Sequence, residues 1–95
     1  MPQVHRQGDL CSGHGCFPPR PTTSWASATY VNNLLVHRTG DSYAVHCCGI
    51  PCHGGSGGRG SSNTIIENAS CRRIGDPVTC GSVAAQGSPN VIVGG

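Results

Sequence analysis

The candidate strands of this chain are short and show no helical period. Three of them, Leu34–Val36, Thr64–Ile66 and Val91–Val93, are each flanked by polar or glycine-rich turns. Loose alternation from Thr22 to Val31 indicates one longer extended strand that ends at an Asn-Asn turn. No apolar periodicity of 3.6 residues persists beyond a turn or two. The pattern therefore predicts a small, loop-rich, all-β fold.

A repeated tetrapeptide, Arg-x-Gly-Asp, divides the chain into similar units. It occurs at Arg6–Asp9, Arg38–Asp41 and Arg73–Asp76. The second and third copies align without gaps from Thr29 and Thr64 onward. We therefore predict a single domain, residues 1–95, with three repeat units at approximately 1–21, 22–63 and 64–95.

Each Gly-Asp pair predicts a structural turn. Glycine supplies a positive φ, and the Asp side chain can accept backbone N–H groups of the loop. The preceding Arg can bond its own Asp or that of a neighbouring unit. His5 and His37 stand directly before this Arg in the first two units, but Arg72 does so in the third. Because this position accepts either residue type, we expect it at the surface or in an interface.

Potential metal ligands follow the Gly-Asp pairs in register. His14 and His46 come five residues after the Asp, and Cys80 comes four residues after it. His53, seven residues beyond His46, is the natural fourth ligand. Three imidazoles and a thiolate would form a closed, tetrahedral, structural zinc site, with iron as the alternative metal.

The other cysteines are open to more than one interpretation. Seven cysteines are an odd number, and the N-terminus lacks the charged start and apolar stretch of a signal peptide. Both points favour thiols or metal ligands over a disulfide scaffold. Cys16 or Cys52 could serve as alternative ligands, whereas small buried apolar residues are the commoner outcome for free cysteines. Adjacent cysteines make a poor disulfide pair. The remaining ambiguous positions are Cys11, Cys47, Cys48 and Cys71.

Composition and motifs argue against several function classes. The net charge of +2 comes with six Arg, no Lys and no basic run, so we expect no nucleic-acid partner. The glycine/serine stretch 54–62 indicates either a flexible linker or a loop around a metal. Its segment Gly54–Gly58 is too glycine-rich for a nucleophile elbow, and neighbours such as Cys52 and His53 face opposite sides of a strand. We expect no catalytic residues and no enzyme activity.

The chain resembles the PAAR-repeat proteins, which form the sharp tips of contractile phage tails and type VI secretion spikes. That family repeats Pro-Ala-Ala-Arg-x-Gly-Asp followed by a ligand His or Cys. Here the closing strand Ser88–Gly95, the loop Asp76–Gly81 and the start Met1-Pro2 are similar to the family pattern. The four residues ending in the repeat Arg are degenerate in every copy; they occupy 3–6, 35–38 and 70–73.

The resemblance implies a cone of short strands with pseudo-threefold symmetry and a metal near its apex, held by His14, His46, His53 and Cys80. It implies a trimeric β-helical spike as partner, either a phage tail spike or a VgrG-like protein, with one copy of this chain per trimer. The function would be to sharpen that spike for piercing a cell envelope, which it contacts transiently. Without an attached toxin domain, the chain fits a bare tip on a phage virion, or alternatively one secreted by a type VI system. The competing classes are a small zinc-binding interaction module, a nucleic-acid-binding zinc domain and a small metalloenzyme.

Overall fold

Antiparallel hairpins of short strands make up the regular structure. The computed structural model describes residues 2–94, so Met1 and Gly95 of the predicted first and last segments lie outside it. Within 2–94 there is no helix, and hence none long and apolar enough to cross a membrane. The predicted small all-β fold is confirmed. The strands are β1 Tyr30–Val31, β2 Leu34–Leu35, β3 Ser42–Cys47, β4 Cys52–Ser56, β5 Ile65–Ile66 and β6 Ala69–Ser70, paired β1–β2, β3–β4 and β5–β6.

Two-residue turns close the first and third hairpins. Asn32 and Asn33 have φ of 54° and 66°, and Glu67 and Asn68 have φ of 49° and 70°. Positive φ at both central residues matches the right-handed twist of the flanking strands, and the predicted Asn-Asn turn is confirmed. The strand predicted to start at Thr22 is shorter than expected. Its first residues, Thr22 and Thr23, bond to the Asp9 turn and to Ser42 of β3, and only β1 pairs as a strand.

The segment predicted as a strand at 91–93 makes only an isolated bridge. Ile92 pairs with Gln3, and Val4 donates its N–H to the carbonyl of Val91 at 3.0 Å. The glycine/serine stretch 54–62 is not a flexible linker. Its first three residues are the end of β4, and the residues after them are packed against the rest of the protein. Gly57 donates to the carbonyl of Asp41 at 2.8 Å, and Ser61 is buried.

The residues before the three repeat Arg positions meet in a closed cycle of backbone hydrogen bonds. His5 donates to the carbonyl of Arg72 at 2.9 Å, Arg72 donates to that of His37 at 3.0 Å, and His37 donates to that of His5 at 3.0 Å. Each repeat therefore bonds to both of the others at this point. The cycle ties together three segments that are far apart in sequence.

The three Arg-x-Gly-Asp motifs fold into identical turns. In each, one carboxylate oxygen of Asp accepts bonds from the backbone N–H and the Nε of the Arg, and the other accepts from Nη2. The intervening glycines have φ of 82°, 92° and 93°. The predicted turn chemistry is confirmed, and every Arg bonds the Asp of its own unit.

The expectation that His5 and His37 lie at the surface or in an interface is wrong. Both side chains have 0% exposure, as does Arg72 at the equivalent position of the third unit. The reason is the hydrogen-bonded cycle, which turns these three positions toward one another in the interior. A residue position that varies between His and Arg is here a buried polar centre.

Hydrogen bonds satisfy most of the polar side-chain atoms of this buried centre. The Nη1 of Arg72 donates to the hydroxyl of Tyr43 at 3.0 Å and to Nδ1 of His37 at 3.3 Å. The Tyr43 hydroxyl then donates to Nε2 of His5 at 2.9 Å, and Nδ1 of His5 donates to the carbonyl of Gln86 at 2.6 Å. The Nη2 of Arg72 donates to two backbone carbonyls at 2.9 and 2.7 Å. Within residues 2–94 this guanidinium has no carboxylate partner.

Two small apolar clusters complete the interior. One lies near the hydrogen-bonded cycle and the other lies against Cys80, one of the predicted ligands. Since the second cluster includes Tyr43 from β3 and Val78 from the Cys80 loop, it fixes that loop to the longest hairpin. The buried members are Val4, Ala26, Val36 and Cys71 in the first cluster, and Cys11, Tyr43 and Val78 in the second.

Candidate metal centre

The β3–β4 hairpin supplies two of the predicted ligands as a cross-strand pair. His46 on β3 lies opposite His53 on β4, next to the last pair of the ladder. Directly opposed side chains in an antiparallel pair approach closely, and here the two Nε2 atoms are 2.8 Å apart. The hairpin register alone therefore brings both imidazoles to one place.

His14 reaches the same place from a tight turn of the first unit. Its backbone N–H and C=O both bond Phe17, at 3.0 and 2.9 Å. Gly13 has φ of 71°, and a Cβ there would lie 2.5 Å from the carbonyl oxygen of Phe17, so the turn requires glycine. The Nε2 atoms of His14 and His53 are 3.0 Å apart. The Phe17 ring packs on all three imidazoles at centroid distances of 4.3 to 5.0 Å.

Cys80 comes from a short loop of the third unit that lies along β4. The N–H of Thr79 donates to the carbonyl of Ser56 at 2.9 Å, and Ser56 donates to the Thr79 hydroxyl at 3.0 Å. Gly55 of β4 leaves room for this approach. A Cβ on Gly55 would lie 3.1 Å from Sγ of Cys80 and 2.9 Å from a methyl of Val78.

The four predicted ligands thus converge and could hold a metal ion. Their ligand atoms all lie within 4.8 Å of one another. A tetrahedral ion with bonds of about 2.0 Å to nitrogen separates its nitrogen ligands by about 3.3 Å, close to the distances between these imidazoles. His46 is also oriented as metal-bound histidines are, because its Nδ1 donates to the carbonyl of Pro18 at 2.9 Å and leaves the Nε2 lone pair free. The set is His14, His46, His53 and Cys80.

The local electrostatics favour the neutral, ligating form of His53. Desolvation lowers the pKa of its imidazole, and nearby His46 and His14 lower it further. A neutral imidazole is the form that binds a metal, so this shift reduces competition from protons.

The prediction that the other cysteines are thiols or alternative ligands is wrong for four of them. Cys16 forms a disulfide with Cys48, and Cys47 forms one with Cys52. Cys16 and Cys52 are therefore unavailable as ligands. The adjacent pair Cys47-Cys48 is not bridged, as expected, because each of the two bonds a different partner. Spacing alone could have indicated Cys47–Cys52, since the two flank the four-residue segment Cys48–Pro51, which forms the turn of a hairpin.

The described residues retain free thiols at Cys11, Cys71 and Cys80. Cys11 and Cys71 are buried members of the two apolar clusters, in line with the usual role of free cysteine. Burial raises the pKa of the Cys71 thiol to about 11. Cys80 is the free thiol that faces the three imidazoles.

Comparison of the chain with models of known protein families and with curated proteins finds no match.

Proposed function

We propose that this protein is the tip of a membrane-puncturing spike, a single PAAR-like domain that caps a trimeric β-helical spike protein. The observation that carries the proposal is the closed hydrogen-bonded cycle through His5, His37 and Arg72. It gives one chain three similar segments around a common centre. A single chain with that internal repetition can dock on a true trimer in any of three equivalent orientations.

Exposed apolar side chains on three separate strand segments, one in the second unit and two in the third, support this docking. Tyr30, Ile65 and Ile92 are 61%, 59% and 50% exposed. Their neighbours Val31, Ile66 and Val93 pack into the apolar cluster near the cycle, so each of these segments presents one apolar side chain outward. The segment of Ile92 pairs with Gln3 of the first unit. In the proposed complex these strand ends continue the β-ladders of the three spike chains, which covers edges that would otherwise favour aggregation.

The finer architecture is part of the same proposal. The molecule measures 38 × 24 × 21 Å and is therefore elongated. In the proposal it is a cone whose narrow end is the β3–β4 hairpin. We assign zinc to that end, bound by His14, His46, His53 and Cys80, with iron as the alternative. An ion would tie segments of all three units together where too few residues remain to form a core. Four protein ligands leave no position for an activated water, so the role is structural and not catalytic.

Metal content tests the site. We expect one zinc per chain in mass spectrometry of the purified protein. Cys80→Ser should lower metal content and thermal stability together, whereas Cys71→Ser, at a buried thiol outside the cluster, should leave the metal stoichiometric. Retention of one metal in the Cys80→Ser variant would remove Cys80 from the ligand set.

Stoichiometry tests the tip assignment. Co-expression with a trimeric β-helical spike, from a phage tail or a type VI system, should yield one copy of this chain per three spike chains. Replacing Ile65 with Asp should abolish the complex without loss of metal. Ile50→Asp is the matched control, since Ile50 is 98% exposed in the β3–β4 turn. Three copies per trimer, or no complex with any such spike, would contradict the proposal.

A further inference from the structure

Both disulfides lie directly beside the proposed metal ligands. Cys16 follows His14 by two residues, Cys47 immediately follows His46, and Cys52 immediately precedes His53. Every imidazole of the set is thus within two residues of a half-cystine. This placement is independent of the repeat, because the repeat alignment does not include these cysteines.

We propose that the Cys16–Cys48 disulfide is a redox-controlled clamp that organises the metal site, an inference that rests on the proposed metal-binding role. It joins the turn that carries His14 to Cys48, the residue directly after β3. Strand β3 carries His46. The Cα atoms of the two cysteines are 5.4 Å apart. Oxidation fixes the separation of these two segments before the metal binds.

The contacts around this turn show why a cross-link matters there. Gly13 and Gly15 both have positive φ, so the turn around His14 depends on two conformationally free residues. Apart from the disulfide, noncovalent contacts hold the turn to the hairpin, among them the bond from His46 to the carbonyl of Pro18 and the packing of Phe17 on His46 and His53. When the disulfide is reduced, the turn that carries His14 loses its covalent link to the hairpin. Metal binding must then order His14.

The second disulfide is expected to matter less. Cys47 and Cys52 already face each other as the last pair of β3 and β4, and the N–H of Cys48 donates to the carbonyl of Pro51 at 2.9 Å across the turn. The ladder therefore fixes the His46–His53 pair whether or not this bond is present. The two disulfides form a matched pair for experiment, one joining two segments and one inside a single hairpin.

The redox step is ordinary thiol–disulfide exchange. The thiols of Cys16 and Cys48 lose two protons and two electrons and form one S–S bond, and oxidised glutathione takes up both and becomes two reduced glutathione molecules. Metal affinity and oxidation are linked. If the disulfide strengthens metal binding by some factor, bound metal makes the disulfide harder to reduce by the same factor. The clamp closes in an oxidising compartment and opens where thiols are kept reduced.

The test compares zinc affinity in three oxidised proteins by competition with a chelator. Relative to wild type, Cys16→Ser/Cys48→Ser should bind zinc about 10- to 100-fold more weakly, the range typical of lost ligand orientation. Cys47→Ser/Cys52→Ser should change the affinity by less than about threefold on the same scale. If the Cys16/Cys48 variant and wild type bind zinc with equal affinity, the proposed clamp is wrong, whereas the proposed metal site is not contradicted. Absence of zinc binding by oxidised wild type would instead overturn the metal site.

A second measurement needs no variant and so does not depend on folding of the serine forms. Wild-type protein is equilibrated in glutathione buffers of graded ratio, with and without stoichiometric zinc, and the Cys16–Cys48 bond is followed by thiol labelling and mass spectrometry. Zinc should shift the midpoint toward more reducing buffers by the factor measured in the affinity experiment. Identical midpoints with and without zinc would contradict the proposal.

Discussion

At the scale of single residues, Gly55 illustrates how an absent side chain shapes the site. A Cβ at this position would meet Sγ of Cys80 at 3.1 Å and a methyl of Val78 at 2.9 Å. We expect Gly55→Ala to displace the Cys80 loop and weaken metal binding by about tenfold, the effect of a misoriented ligand. Chelator competition measures it.

Gly54→Ala is the control for that substitution. A Cβ on Gly54 would lie 3.7 Å from a methyl of Val45, an ordinary contact, and it faces away from the cluster. Its zinc affinity should equal that of wild type. Equal affinities in the two alanine variants would show that the Cys80 loop adapts at no cost.

The four proposed ligands could be found from the sequence because the repeat places three of them in register. His53 was predicted as the fourth ligand from its spacing to His46. In the structure the two residues lie opposite each other in the β3–β4 hairpin. The burial of His5 and His37 could not be found in the same way. It depends on three distant segments meeting in one cycle and on Tyr43 accepting a bond from Arg72, neither of which leaves a local signal.

At the scale of elements, the Arg-x-Gly-Asp turns differ in how deeply their ion pairs are buried. The side chains of Arg73 and Asp76 are 10% and 6% exposed, whereas those of Arg38 and Asp41 are 20% and 10% exposed. The hydrogen bond to Asp76 raises the pKa of Arg73, so this guanidinium stays charged. When the carboxylate loses its charge, the Arg is left without an ion-pair partner. The resulting loss of stability increases with the burial of the guanidinium.

We therefore predict that Asp76→Asn lowers the free energy of unfolding by about 2 kcal/mol. Asp41→Asn should lower it by about 1 kcal/mol, since a more exposed pair contributes less. For a chain of this length each kcal/mol corresponds to roughly 4–8 °C in Tm. Urea unfolding of the metal-loaded proteins measures both values. The reverse order of the two variants would show that burial does not set the strength of these turns.

Turns of this kind were predictable because their chemistry is local, whereas the Cys16–Cys48 disulfide was not. The glycine φ, the Asp acceptor and the preceding Arg all lie within four residues. The Cys16–Cys48 bond instead joins residues 32 apart in sequence, and an odd cysteine count gave no indication of it. The strand expected from Thr22 is shorter for a related reason, since its first residues bond to Asp9 and Ser42, which are distant in sequence.

At the scale of the whole molecule, the buried polar centre should make stability depend on pH. Burial, together with the charge of Arg72, lowers the pKa of His5 to about 4, and burial with neighbouring His5 and Arg72 lowers that of His37 to about 3. Both pKa values lie below the ordinary 6.5, so the unfolded chain binds these protons first. The contribution is fully present above pH 6.5 and is lost progressively as pH falls toward 4 for His5 and toward 3 for His37.

We predict that the free energy of unfolding falls by about 1.2 kcal/mol between pH 6 and 5 for each of these histidines. His37→Gln should reduce the slope by that amount relative to wild type. Both proteins are measured without metal, so that His14, His46 and His53 contribute equally and cancel in the comparison. An unchanged slope in the variant would mean that His37 is protonated in the folded protein.

The closed cycle of backbone bonds also has a consequence for how the chain reaches its native state. Each of His5, His37 and Arg72 donates one backbone hydrogen bond to one of the others and accepts one from the remaining residue. The cycle therefore closes only when all three residues are present. A nascent chain that has exposed only its first two units lacks two of the three bonds, as well as the Val91 carbonyl that bonds Val4. The N-terminal residues therefore find their final partners only after the third unit has been synthesised.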